Sequence, residues 1–477
     1  MRTLIRNAFV VSVDTAIGNL DGADILIENG DIREIRSAIE ASDAEILDAT
    51  GCIAMPGFVD THRHLWEGGM RAVTADYSIL DFTGNIRLFA AKFFRPEDMY
   101  ATSFQGGLEA LNAGVTTVAE YCHNVRTPEH ASENLRGVRE AGMRTVWSFG
   151  FTGLARDGSG FGAVSERVAF LERFAAKEFR STDPLLTIGV CPEEPFLWGA
   201  DPVPVRAQFD VARRLGARIF MHTNSRRGYD GLLMREVVKM NDLGLLGPDL
   251  VLVHMYFTGE DEWAMLGAAG GHVSYTPETE YQMGLGWPSI RAAGDAGVNV
   301  SVGTDITANN SADMFFQLRL LLQVERAREI DKLTQAFYSR TPFDCKEALY
   351  WGTMGGAKAV GLDHRIGSLT PGKAADIVLL RADDISMVGW DKRNPAATII
   401  QQAGVQNVET VLVNGKIVKH AGALVGDARR ACELLVQTAT HVHEQAAANG
   451  GFDVPEDVLF ARIGKPATPA PVPAAAN

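Results

Sequence analysis

The feature that most constrains the fold of this chain is an alternation. Strand-like runs at 58–64, 115–120, 144–149, 186–190, 218–222, 250–254, 272–275 and 298–303 are separated by amphipathic stretches such as 96–113, 131–141, 203–215 and 259–269. Short apolar runs of this kind suit buried parallel strands, and parallel neighbours need a crossover long enough to hold a helix. Eight such units predict an α/β fold, a (β/α)8 or TIM barrel over residues 57–365. In a barrel of this kind the chemistry sits at the carboxyl ends of the strands, so polar residues there are the first candidates for function.

The flanks read differently. Residues 1–56 hold short β runs separated by Asp-Gly and Asn-Gly turns, with Asn29-Gly30-Asp31 as a hairpin signal. Residues 366–424 return to this character, with Ile377-Val378-Leu379-Leu380 and a second hairpin turn at Asn414-Gly415. The two ends are expected to form one small β-sandwich into which the barrel is inserted. Residues 425–477 are expected to form a helix over 426–448 and a Pro/Ala-rich tail from Lys465 to Asn477. A chain of 477 residues has room for a main domain and a second module. Its net charge of −14 argues against nucleic acid or an anionic membrane as partner. No apolar run reaches the ~18 residues of a membrane span, and the N-terminus lacks the apolar core of a signal peptide. The five cysteines are scattered, with no Cys-x-x-Cys, which fits a cytoplasmic protein whose cysteines fill the core.

Four histidines and one aspartate fall at the expected strand ends. His62 and His64 end strand one, His222 strand five, His254 strand six and Asp305 strand eight. Residues two apart on a strand face the same way, which sets the His62 and His64 Cα atoms about 6.5–7 Å apart. Two imidazoles at that spacing can converge on a divalent cation through bonds of about 2.0–2.1 Å. Taken singly, each residue has an ordinary structural reading, His222 or His254 as a hydrogen-bonded rim residue and Asp305 as a helix cap. Gathered at one rim, they point to a metal.

The residues Pro56-Gly57-Phe58-Val59-Asp60-Thr61-His62-Arg63-His64, Leu252-Val253-His254, Val302-Gly303-Thr304-Asp305 and Gly367-Ser368-Leu369-Thr370-Pro371-Gly372-Lys373-Ala374-Ala375-Asp376-Ile377-Val378 carry a resemblance. They resemble the amidohydrolase superfamily, in the branch that holds cytosine deaminase, guanine deaminase and the triazine chlorohydrolases. The resemblance implies His62, His64, His222 and Asp305 as ligands of one divalent metal, with His254 facing the bound water or substrate. Three imidazoles and a carboxylate suit zinc best, with iron or cobalt as alternatives. Such an ion lowers the pKa of water toward about 7. Asp305 would take the proton as base, and His254 would orient the nucleophile or polarise the electrophile. Members with two metals bridge them through a lysine on strand four. Here that strand, Leu186-Thr187-Ile188-Gly189-Val190-Cys191-Pro192, has none, and Glu193 and Glu194 read as solvated loop carboxylates. A single ion is therefore expected, and the resemblance also implies a homodimer or higher homo-oligomer.

One departure matters. Deaminases of this branch carry a glutamate three residues after the strand-five histidine, where this chain has Ser225, which cannot act as an acid near neutral pH. Glu278 or Glu280, after strand seven, could face the metal instead, and His123 and Trp66 lie at rim positions suited to substrate. Tyr77, Phe82, Tyr121, Trp198, Tyr229 and Trp287 also fall in rim loops, which fits an aromatic or hydrophobic small molecule. Arg226 and Arg227 read as a surface pair, and no Gly-rich phosphate loop occurs. The expected function is metal-dependent hydrolysis of a non-peptide C–N bond of amide, carbamate or urea type. The alternatives are an aminohydrolase (deaminase) or chlorohydrolase acting on a nitrogen heterocycle, and a non-catalytic metal-binding barrel.

Overall fold

The structure, a computed structural model, describes residues 2–151, 160–179, 183–194, 203–228, 231–333 and 339–464. The barrel strands are β1 (Phe58–His64), β2 (Val115–Cys122), β3 (Arg144–Gly150), β4 (Leu186–Cys191), β5 (Arg218–Thr223), β6 (Leu250–His254), β7 (His272–Tyr275) and β8. β8 comes in two pieces, Asn299–Val302 and Asp305–Ile306. All neighbours run parallel, in chain order. The first piece of β8 pairs with β7 and the second with β1, where Asp305 lies opposite Arg63, so the broken strand closes the barrel.

The break is built by specific residues. A Cβ on Gly303 would lie 2.6 Å from the backbone nitrogen of His62 and 2.7 Å from its oxygen, so only glycine lets β8 approach β1 this closely. Next to it, the Thr304 hydroxyl donates to Asp60 and accepts from the Arg63 guanidinium at 2.6 Å. Side chains from the strands and the surrounding helices interlock in one continuous apolar cluster. Among these helices, α1 (Pro96–Asn112) begins with proline, whose missing N–H costs nothing at that position. The wide apolar face of α2 (Met314–Asp331) buries Met314, Phe315, Leu318, Leu321 and Leu322.

The strands of both chain ends join in one nine-stranded sheet. Cys52–Pro56 stitches the ends together, pairing parallel with Arg2–Val11 and antiparallel with Ile377–Arg381. The hairpin turns at Gly30 and Gly415 pack against each other, which curls the sheet over its own core of Ile5, Val10, Ile25, Leu369, Ile377 and Leu412. The long α3 (Ala428–Ala448) lies against α1 and the turn Leu65–Met70, with the Thr438 hydroxyl donating to Asp98 at 2.8 Å. The short α4 (Glu456–Ile463) follows it, and the tail expected from Lys465 lies outside the described residues. Four cysteines are buried as expected, but Cys432 is exposed on α3, because that helix turns only one narrow face inward. Among the described residues no helix is long and apolar enough to cross a membrane.

Candidate active site

His62, His64, His222, His254 and Asp305 all converge at the carboxyl end of the barrel. His62 Nε2 lies 3.2 Å from both His222 Nε2 and Asp305 Oδ1, and His64 Nε2 lies 3.4 Å from the same carboxylate oxygen. Candidate ligand atoms of His62, His64 and Asp305 fall within 4.8 Å of one another, as do those of His62, His222 and His254. The chain leaves its strands sharply here, for His254 and Asp305 have φ of 79° and 65°. A non-glycine residue in that region costs about 1–3 kcal/mol and persists only where its surroundings demand it.

The hydrogen-bond partners assign the tautomers. His64 Nδ1 donates to the Tyr121 carbonyl at 2.8 Å, so its lone pair is on Nε2, facing Asp305. His222 Nδ1 donates to the Glu194 carboxylate, so its lone pair also points inward, at His62. One imidazole proton on His62 cannot satisfy His222, His64 and Asp305 together. Acceptors gathered this closely fit a divalent cation, and three imidazoles with one carboxylate are a suitable donor set. Burial favours the neutral, metal-ready rings. It lowers His62 to about 4, and it holds His64 and His222 below the usual imidazole value. Burial would raise Asp305, but the hydrogen bond and charge of His62, with His254 and His64, hold it well below the usual carboxylate range. For His254 burial pulls down, and the hydrogen bond to Glu280 with the charge of Asp305 outweighs it, so this ring is shifted up.

Behind these residues stands a set of supports. Glu194 was expected to be solvated, yet it is only 3% exposed, because it accepts from His222 Nδ1, from Arg87 at 3.0 Å and from the Tyr121 hydroxyl at 3.3 Å. Tyr121 also stacks on His222, ring centres 4.4 Å apart. His123 lies flat against His64 at 4.1 Å and accepts the indole N–H of Trp66 at 2.8 Å. Neither His123 nor Trp66 lines the cleft, and both support His64 from behind. Glu280 is buried, holding His254 Nδ1 at 3.0 Å and the Tyr256 hydroxyl. Glu278 turns away to Gln317, which donates to it at 2.7 Å, and burial raises its acid to about 7. The Thr276 hydroxyl donates to Asp305 Oδ2 at 3.2 Å.

The cleft above them has about 560 Å³ of atom-free space, open solvent included. Ser225 lines it, as do Phe82, Ile79, Leu80, Met283 and Leu285. Arg226 also lines it and is half-buried, whereas Arg227 alone is the exposed surface residue expected of both. Of the other aromatics, Tyr77 is buried against Phe452 and Trp287 is 60% exposed, while Trp198 and Tyr229 lie outside the described residues. Sequence reasoning missed Arg87, Thr276 and most of the 79–87 wall. The available signal was the length of the segment between β1 and α1, since a long stretch without clear periodicity in a compact domain is commonly functional.

An isoxanthopterin deaminase from an unknown prokaryotic organism is 29% identical over 478 residues, spanning 91% of this chain and 97% of that protein. A 5-methylthioadenosine/S-adenosylhomocysteine deaminase of Syntrophobacter fumaroxidans is 26% identical, spanning 87% of this chain and 92% of that protein. Among solved structures, an adenosine deaminase from Xanthomonas campestris with bound zinc superposes with a TM-score of 0.79 at 21% identity, covering 93% of this chain and 98% of that one. An atrazine chlorohydrolase from Arthrobacter aurescens complexed with zinc superposes with a TM-score of 0.77 at 23% identity, covering 92% and 100%. These two likenesses are of fold. The model of the amidohydrolase family matches residues 53–418, from the strand before His62 to the returning end sheet, and the chain belongs to that family.

Proposed function

We propose that this protein hydrolyses a C–N bond, other than a peptide bond, in a small and largely apolar molecule, using one zinc ion held by His62, His64, His222 and Asp305. The observation that carries the reading is the crowding of the His62, His64 and His222 Nε2 atoms and the Asp305 carboxylate, beneath a cleft that offers no other carboxylate among its described lining residues. When bound, the ion supplies a Lewis acid and makes water a nucleophile near neutral pH. Asp305, steadied by Thr276, accepts the proton of the attacking water and passes it to the departing nitrogen. His254, whose Nδ1–H is held by Glu280 and which Glu280 and Asp305 shift up, donates in its protonated form from Nε2 to the oxygen on which charge develops. Phe82, Leu80, Met283 and Leu285 exclude bulk water and receive the apolar body of the substrate.

Ser225 lines the cleft where a carboxylic acid would be needed to protonate a heterocycle nitrogen. With Glu278 and Glu280 engaged elsewhere, amide, carbamate and urea substrates are favoured. A second reading, deamination or dechlorination of a nitrogen heterocycle, is favoured by the deaminase aligned over 91% of the chain. A non-catalytic barrel gives no reason for Asp305 and His254 to face an apolar cleft. The test is a panel of aryl carbamates, anilides, aryl ureas, aminopterins and chlorotriazines given to zinc-loaded protein, with released amine, ammonia and chloride measured. Amine release lost on chelation and in His62→Ala supports the first reading. Ammonia or chloride release alone supports the second, and full activity in His62→Ala would sink both.

A further inference from the structure

We propose that the C-terminal helix α4 sets the width of the substrate cleft from behind, with Leu459 and Arg462 as positioning residues for the wall at 79–87. The proposal rests on the functional reading above for the identity of the cleft. It stands on how the wall is built. Ile79–Asp81 is a single helical turn that runs into a π-helical turn, Phe82–Arg87, closed by the Leu88 N–H donating to the Thr83 carbonyl at 3.0 Å. Wide turns of this kind are rare and gather at functional sites. One face of the segment gives Leu80, Phe82 and Thr83 to the cleft, and its last residue, Arg87, holds Glu194 against His222.

The opposite face is covered by α4 and the turn before it. A Cβ on Gly84 would lie 2.4 Å from Leu459 Cδ1 and 3.4 Å from Ile463 Cγ1, so the Leu459 and Ile463 side chains seat directly on the wall's backbone at Gly84. Arg462 donates to the Asn85 side chain and to the Gly451 carbonyl, and its guanidinium lies 3.6 Å from the centre of the Phe89 ring. The Tyr77 hydroxyl, just before the wall, donates to the Phe452 carbonyl at 3.2 Å. Gly451, Phe452, Leu459 and Arg462 all lie beyond residue 418, where the match to the family model ends.

Hydrogen–deuterium exchange on the full-length protein decides the matter without any substrate. In Leu459→Ala and in Arg462→Ala, amides at 79–87 should exchange about tenfold faster while β1 stays unchanged. Thr438→Ala, which loosens α3 from α1, should leave 79–87 unchanged. Adding Gly84→Ala to Leu459→Ala refills the gap and should restore slow exchange. On whichever panel molecule is turned over, KM should rise about fivefold in Leu459→Ala with kcat within about twofold, as expected for lost binding rather than lost chemistry. Unchanged exchange at 79–87, or faster exchange spread equally through the barrel and in Thr438→Ala, would overturn the proposal. A panel with no turnover counts against the proposed reaction and leaves the exchange result to judge the wall.

Discussion

Glu194→Gln is the sharpest probe of the site, because it changes one charge and almost no volume. Glu194 is buried, and its carboxylate fixes the proton of His222 on Nδ1 while accepting from Arg87 at 3.0 Å and Tyr121 at 3.3 Å. A hydrogen bond to a charged group contributes about 1.5–3 kcal/mol, against about 1 for a neutral pair. Swapping carboxylate for amide therefore removes about 1–2 kcal/mol of the energy that aims the His222 lone pair inward. At about 1.4 kcal/mol per tenfold, zinc affinity should fall about 5- to 30-fold, which agrees with the usual cost of losing such a partner, about 10- to 100-fold. The assay is competition with a chromophoric chelator at neutral pH, with circular dichroism to check the fold. Glu193→Gln is the control, since the nearest fixed contact of that residue is its backbone N–H to Gln208 at 2.7 Å, and it should change affinity less than about twofold. A folded Glu194→Gln protein that binds zinc within twofold of the parent would refute the reasoning, as would an equal loss in Glu193→Gln.

Other consequences can be checked separately. Because burial lowers His62 to about 4 and also lowers His64 and His222, protons should compete with zinc only below the usual imidazole range. Chelator competition should show affinity changing less than about threefold between pH 7.5 and 6, where exposed imidazoles of pKa about 6.5 would already lose more. Burial raises Glu120 from 4.5 to about 8, so the folded state holds a proton that the unfolded state releases. Stability of the metal-free protein should then fall as pH rises through that window, and Glu120→Gln should flatten the decline in melting temperature between pH 6 and 9; an unaltered slope argues against it. Gly303→Ala drives its methyl group into the His62 backbone and should cost about 1–3 kcal/mol, read as a lower urea midpoint, together with weaker zinc binding.

What the chain reveals before folding follows from the range of each interaction. Strand spacing alone put His62 and His64 on one face, and strand–helix alternation brought His222, His254 and Asp305 to the same rim. Glu194 escaped because its burial depends on Arg87, 107 residues earlier in a stretch without clear period. The pair Glu278 and Glu280 shows a subtler limit. Pro277–Gln282 is a helix rather than a loop, so residues two apart point in different directions. One glutamate therefore reaches His254 and the other Gln317. Trp66 and Phe82 are equally aromatic rim residues in sequence, and only packing decides that the first supports His64 through His123 while the second faces the cleft.

The broken eighth strand links the site to the order of synthesis. Asp305 takes its place only when the second piece of β8 pairs with β1, at the far end of the barrel's sequence. A growing chain therefore exposes His62 and His64 long before their carboxylate partner exists, and an ion captured early would be held by two imidazoles alone. The donor set proposed for the ion is complete only with ring closure. Closure of the barrel would therefore be the step that creates the proposed site.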